Sequence, residues 1–162
     1  MTVVAEEQVE SQSEIVQWVT FSLGAEHFGV QVMQVQEVLR VSEIAPVPGS
    51  PGHVLGIINL RGKVVSVIDA RARFGLDTGE LTDASRIVII EVKNQVAGLL
   101  VDSVAEVANL SAQDVEPPPK VAADDSAGYI QGVANRADHG LLILVDLNRL
   151  LSTDEWSALE GL

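Results

Sequence analysis

From Trp18 onward the chain alternates, with Val19, Phe21 and Leu23 pointing one way and Thr20 and Ser22 the other, the two-residue period of a strand with one face buried. Gly24-Ala25-Glu26 turns it back into a second strand around His27–Val30, so the start of the fold reads as a hairpin. Val32, Val35, Val38 and Leu39 then fall at helical spacing. The stretch is rich in β-branched side chains, which lose rotamer freedom in a helix, so a short helix or turn running into a strand is expected. Pro46, Pro48 and Pro51, which lack a ladder donor, combine with Gly49 and Gly52 into a loop. A second hairpin runs from Val54 to Asp69 about Arg61-Gly62-Lys63. Its period of two sets Ile57, Asn59 and Arg61 on one face and Ile58 and Leu60 on the other, which puts Arg61 beside a polar partner. Ala70 to Phe74 predicts a short helical turn, and the polar stretch Leu76 to Ala84 predicts the junction between two subdomains.

The same order then returns. A strand over Ile87–Val92, a Lys93-Asn94-Gln95 turn and a strand over Val96–Val101 match the first hairpin in length and phase, and both strands read as buried. Gly29, Val30, Val32, Val35, Glu37 and Val38 recur 69 residues on as Gly98, Leu99, Val101, Val104, Glu106 and Val107. Gly52, Val54, Gly56, Ile57 and Asn59 recur 76 residues on as Gly128, Ile130, Gly132, Val133 and Asn135, the added length lying in the loop of Pro117–Pro119 and Ala122–Ala127. Tyr129–Asn135 and Leu141–Leu147 form the last hairpin, with its tip at Arg136–Gly140, and Asp69 and Asp146 close the two copies. Glycines, Glu and Asp in register mark a unit of about seventy residues written twice. The expected fold is all-β: two pseudo-repeated five-stranded SH3-like barrels with short helices, since closing each sheet removes exposed edges. Residues 1–15 read as a flexible acidic tail, 16–151 as one domain of two intertwined barrels over about 17–80 and 86–151, and 152–162 as a terminal helix. Ser152-Thr153-Asp154-Glu155 gives that helix a capping box, and Trp156 and Leu159 give it one apolar face to dock.

Composition narrows the function. An apolar content of 47% suffices for a substantial core, so this is not a disordered chain. With 23 acidic and 10 basic residues the net charge is -13, which disfavours nucleic acid and anionic bilayers as partners. The absence of cysteine removes disulfides and thiolate metal sites and fits a reducing compartment. Residues 1–14 have neither a basic start nor an apolar core, so no secretion signal is expected; no run is long enough to span a membrane, and the expected address is the cytoplasm.

Catalytic constellations are scarce. His27, His53 and His139 lie at no metal-ligand spacing, and the glycines fall singly at turns, not in a phosphate-binding cluster, so no metal, cofactor or catalytic residue is expected. Asp77-Thr78-Gly79 resembles the catalytic triplet of aspartic proteases. Those enzymes need one Asp from each lobe, and the second copy offers nothing at the matching place, so the triplet reads as a turn.

The stretch Gly56-Ile57-Ile58-Asn59-Leu60-Arg61-Gly62, followed by Lys63-Val64-Val65-Ser66-Val67-Ile68-Asp69, resembles the CheW family of chemotaxis coupling proteins, whose members carry a Gly-x-x-Asn-Leu-Arg-Gly hairpin and an apolar strand ending in Asp. Val35-Gln36-Glu37-Val38, Leu99–Val104 and Leu142–Asp146 extend the likeness to nearly the whole chain from Trp18, without room for a kinase or receiver domain. Ser66 and Ala70 depart from the family's usual Pro and Leu at structural positions. The resemblance implies a non-catalytic adaptor, recruited from the cytoplasm to membrane-associated arrays, that joins the cytoplasmic tip of methyl-accepting chemoreceptors to the regulatory domain of the histidine kinase CheA. It further implies a receptor-binding set of Val35, Glu37, Gly56, Arg61 and Val107 at the groove between the barrels. The kinase-facing residues stay unassigned. An apolar rim with one Glu and one Arg suits an amphipathic helix. Valines at this spacing also mark a core, and Arg61 alternatively braces Asn59 or a loop carbonyl. Two other readings stand beside it: a scaffold in a non-flagellar chemosensory pathway, and a small-molecule-binding double barrel, for which only Glu37, Arg61 and Glu106 offer polar groups.

Overall fold

The computed structural model describes residues 14–77, 79–118, 128–136 and 140–160, with backbone alone for Thr153, Ala158 and Glu160. In chain order the strands are β1 (Ile15–Leu23), β2 (Glu26–Gln31), β3 (Val35–Arg40), β4 (Val54–Leu60), β5 (Lys63–Asp69), β6 (Arg86–Val92), β7 (Gln95–Val101), β8 (Ser103–Ser111), β9 (Val115–Glu116), β10 (Ile130–Arg136) and β11 (Gly140–Val145). Helix α1 (Ala70–Arg73) follows β5, and α2 (Thr153–Glu160) ends the chain. The ambiguous valine-rich stretch resolves as a single 3-10 turn over Val32–Gln34 leading into β3, as the β-branched content requires.

The strands form two sheets, β8-β1-β2-β11-β10-β9 and β3-β6-β7-β5-β4, and the protein is an all-β pair of SH3-like barrels. Their membership corrects the expected division at 17–80 and 86–151. The hairpin β1-β2 of the first half is sheeted with β8, β10 and β11 of the second, and β6-β7 of the second half with β3, β4 and β5 of the first. The cause lies in two parallel pairings, β2 with β11 and β5 with β7. A parallel neighbour cannot be reached through a tight turn, so it must come from a distant segment. The strand count also differs by one. The first sheet gains β9, which pairs with Val133 and Ala134, where the second has only a bridge between Ala45 and Ile57. Strand β1 begins inside the expected tail, at Ile15; residues 1–13 lie outside the described residues, as do His139 and most of the long proline loop.

Three apolar clusters fill the molecule. Trp18, Ala108, Leu110, Ala134, Leu142 and Leu144 pack inside the first barrel, and Ile58, Val65, Val67, Ile87 and Ile89 inside the second. The largest cluster lies between them and draws Phe21, Val30, Ile68, Ile90 and Leu99 from both sheets. All three phenylalanines and the one tyrosine form a stack there, Phe21–Phe28–Phe74–Tyr129, with ring centroids 5.7, 5.0 and 4.5 Å apart. Each such contact adds roughly 0.5–1.5 kcal/mol beyond area burial. The terminal helix docks on this core through buried Trp156 and Leu159. Its capping box is formed as expected: Glu155 N donates to Ser152 Oγ at 3.1 Å, and Ser152 N donates to Glu155 Oε1 at 2.9 Å. Ser66, which departs from the family pattern, is buried beneath it with Oγ 3.4 Å from the Leu159 carbonyl oxygen.

Barrel closure depends on two glycines. Ala45 and Ile57 exchange both backbone hydrogen bonds at 2.9 Å, bringing the chain after β3 onto the far edge of β4. Gly56 lies under that seam at φ 155, and a Cβ there would meet the Ala45 carbonyl oxygen at 2.1 Å. Gly132 holds the matching place in the other barrel, where a Cβ would lie 2.6 Å from Val115 Cγ1. Gly56→Val therefore forces the seam apart, and a destabilisation of roughly 3 kcal/mol is expected from overpacking and backbone strain together. Gly62→Ala, at a turn with open space around it, is expected to cost only about 1 kcal/mol. Thermal melts of the two variants decide the matter, and equal midpoints would refute the seam argument.

Candidate functional site

Arg61 and Gly62 are the two central residues of the β4-β5 hairpin, with φ of 52° and 88°, and Leu60 pairs with Lys63 across the turn. Two positive φ values suit the right-handed twist of a two-residue hairpin. The Asn59 side chain is used locally, its Oδ1 accepting from Gly62 N at 2.8 Å. Arg61 is thus not braced by Asn59. Its Nη1 donates to Glu37 Oε1 at 3.1 Å while its Nη2 pairs with Oε2, a forked contact from the hairpin tip to β3. Since β3 and β4 are opposite edges of the sheet, the pair lies across the barrel's opening. The hydrogen bonds from Arg61 hold the Glu37 carboxyl below its ordinary range. Arg61 itself is 71% exposed, so the pair adds little stability and leaves the guanidinium in reach of another molecule.

The first barrel carries a similar device. Glu106, the repeat of Glu37, faces Arg136 with Nη1 to Oε1 at 3.4 Å, again joining the edge strand β8 to the last hairpin. Exposed apolar residues also come in matched pairs. Val38 and Val107 are 40% and 45% exposed, and Val64 and Leu141 are 65% and 57% exposed, each pair at equivalent places in the repeat. The duplication has copied surface as well as core.

The five candidate residues separate into three places. Register slips between Val35, opposite Ile90, and Glu37, opposite Ile89. Ile90 belongs to the central cluster and Ile89 to the barrel's own core, so the bulge turns Val35 toward the junction of the barrels and Glu37 toward the rim that Arg61 closes. Val107 lies opposite Val19 on β8, two residues from Asn109, which accepts from Gln17 Nε2 at 3.2 Å. Gln17 and Asn109 also wall a depression of about 460 Å³ lined by Ile15, Val16, Val32 and Met33. Val35 follows that turn directly and packs against the central cluster. Gly56 is buried, and its place is the seam, where the backbone of Ala45 closes on it. Sequence reasoning passed over Ile15 and Met33 because their exposure, 56% and 92%, follows from the crossover geometry and leaves no periodic trace.

A second charged contact went unread. Arg71 of α1 donates Nε to Asp102 Oδ1 at 2.9 Å and pairs through Nη2 with Oδ2; Asp102 also accepts from Gly24 N at 2.6 Å. Arg71 Nη1 reaches the Asp77 carbonyl oxygen at 3.0 Å, while Thr78 of the protease-like triplet lies outside the described residues. The clamp fastens the β7-to-β8 crossover to α1 and to the β1-β2 turn. The Arg71 hydrogen bonds, more than the Gly24 amide, hold the Asp102 carboxyl below its ordinary 3.8. A carboxylate with a lowered folded-state pKa contributes stability above its unfolded value, and the contribution disappears as pH falls through the folded value. Asp102→Ala is accordingly expected to cost roughly 2 kcal/mol at neutral pH and less at about pH 3, measured as urea unfolding at both. An equal cost at the two pH values would mean that the clamp acts through packing and not charge.

A model of the CheW-like domain matches residues 17–155. The chemotaxis protein CheW of Treponema pallidum is 35% identical over 150 residues, covering 90% of this chain and 88% of its own length. That of Rhizobium meliloti is 34% identical over 140 residues, covering 86% and 90%. The crystal structure of the scaffolding protein CheW from Thermoanaerobacter tengcongensis agrees with a TM-score of 0.77 at 38% identity, covering 86% of this chain and 94% of that one. By this agreement in sequence and fold, running through both barrels, the chain belongs to the CheW-like family.

Proposed function

We propose that this protein is a non-catalytic adaptor that couples methyl-accepting chemoreceptors to the histidine kinase CheA, placing autophosphorylation under receptor control. The observation that carries the reading is the family match through both barrels, from residue 17 to 155. The surface supports it. Apolar side chains at Ile15, Val16 and Met33 line a depression beside the first crossover, exposed Val107 lies two residues along β8 from Asn109 in its wall, and an exposed Arg61–Glu37 pair stands on the rim of one barrel. An amphipathic receptor helix needs such a combination: apolar contacts bury its stripe, and the charges set its register. The matched exposed pairs on the two barrels give one small chain a face for each of two partners, the receptor's cytoplasmic tip and the kinase's regulatory domain. The protein works in the cytoplasm, held at membrane-associated arrays by these contacts alone.

The small-molecule reading has less support. A cavity of about 330 Å³ lies beside Arg71 and Asp102, but those two groups are spent on each other.

The test is CheA autophosphorylation with receptor cytoplasmic fragments, with and without this protein, alongside Arg61→Glu. Wild-type protein is expected to make the kinase respond to receptor. Arg61→Glu is expected to bind receptor about tenfold more weakly, through like-charge juxtaposition with Glu37, with the fold intact. A wild-type protein that forms no complex with either partner would refute the coupling role, and an Arg61→Glu variant that couples normally would remove Arg61 from the receptor surface.

A further inference from the structure

The chain has no cysteine and two methionines, so Met33 is the one sulfur among the described residues. It is also 92% exposed, more than any other large apolar residue described. A lone exposed apolar residue needs no explanation, but this one has company. Ile15 and Val16, 56% and 39% exposed, line the same depression, and exposed Val107 lies two residues along β8 from Asn109 in its wall.

The matching position in the repeat is occupied differently. Met33 stands at the first crossover between barrels, 69 residues before Asp102 at the second. There Asp102 is fastened by Arg71 and by the Gly24 amide, and its own backbone N–H donates to the Ser22 carbonyl oxygen at 3.0 Å. The first crossover runs through the 3-10 turn Val32–Gln34, and the second passes through Asp102 alone between β7 and β8. One is sealed by a charge clamp, while the other displays a thioether to solvent on a turn whose neighbours Val32 and Val35 are packed on the central core. A flexible, polarisable side chain on a fixed turn beside apolar neighbours is the kind of contact methionine makes at protein-binding surfaces.

We propose that Met33 is a redox-modification site through which peroxide weakens the docking of the helical partner. The inference rests on the adaptor reading given above and adds its regulation. In the reaction a sulfur lone pair attacks one peroxide oxygen, the O–O bond breaks, an S–O bond forms and water leaves; sulfur is oxidised by two electrons and the peroxide reduced by two. Reversal takes a dithiol, which carries away the oxygen as water and becomes a disulfide. The sulfoxide is polar and must lose water when the partner covers it, which opposes docking. No thiol in this chain competes for the oxidant, and the two tryptophans, Trp18 and Trp156, are buried.

The test uses the full chain treated with dilute hydrogen peroxide, with a receptor cytoplasmic fragment as the binding probe. Cleavage at glutamate separates Met33 from Met1, so mass spectrometry reports the oxygen added at each. Oxidation at Met33 is expected to weaken binding about tenfold, and the two methionine sulfoxide reductases, one for each sulfoxide epimer, with a dithiol to restore it. Met33→Leu, compared with its own untreated baseline, is expected to show no change on the same treatment. Met33→Gln, which imitates the polarity of the sulfoxide, is expected to lose about as much as the oxidised protein. Undiminished binding after full oxidation at Met33, failure of the reductase to restore it, or an equal loss in Met33→Leu would overturn the proposal while leaving the adaptor reading in place. Absence of binding by the untreated protein would overturn both.

Discussion

Neither sheet can be completed from one half of the chain. Strand β2 needs β11 as its parallel neighbour and β7 needs β5, so each barrel closes only when the other half has supplied its part. The central cluster follows from that exchange, since β1, β2, β6 and β7 turn one face into their own barrel and the other toward its neighbour. Most of the pairings join residues far apart in sequence, which ties the two barrels into one cooperative unit. What the family likeness presents as two tandem copies is physically one interlocked body. An adaptor built this way holds its two faces in fixed relation, where barrels on a flexible linker would not.

Closing the barrels imposes its own conditions. A sheet of five or six strands has two edges, and here the edges are brought together by backbone approach at Gly56 and Gly132 and by Arg–Glu pairs at the rims. The glycines do the structural part, because no side chain fits between the seam strands. The ion pairs, one of them with an arginine largely in solvent, contribute little stability at such exposure. That division explains why Gly56 and Arg61 sit in one hairpin under different constraints: one residue is fixed by sterics, and the other stands largely in solvent.

The hairpins, the 3-10 turn, α1 and the docked terminal helix were legible because period-two alternation, paired glycine turns and a capping box are local signals. The repeat was legible for the same reason. Strand exchange was not, since the 69-residue offset is the same whether β1-β2 stays with its own half or crosses over. Glu37 and Arg61 were found together through the family pattern, but their contact depends on the closure of a barrel whose edges are distant in sequence. Arg71 and Asp102 left no mark at all: a single Arg in a short helix and an Asp after a buried strand look like ordinary surface residues until the fold brings them within 2.9 Å.

Where the two copies agree and where they part is itself informative. Inside the barrels the repeat keeps apolar residues at matched places, Trp18 with Ile87, Leu142 with Val65 and Leu144 with Val67, because both cores must be filled. At the crossovers it does not, since no packing demand fixes those side chains. One crossover acquired Asp102 and is held shut by Arg71; the other carries Met33 in water beside Ile15 and Val16. One connection is thus held by a charge clamp at Asp102, and the other by a 3-10 turn whose flanking Val32 and Val35 pack on the central cluster while Met33 faces water.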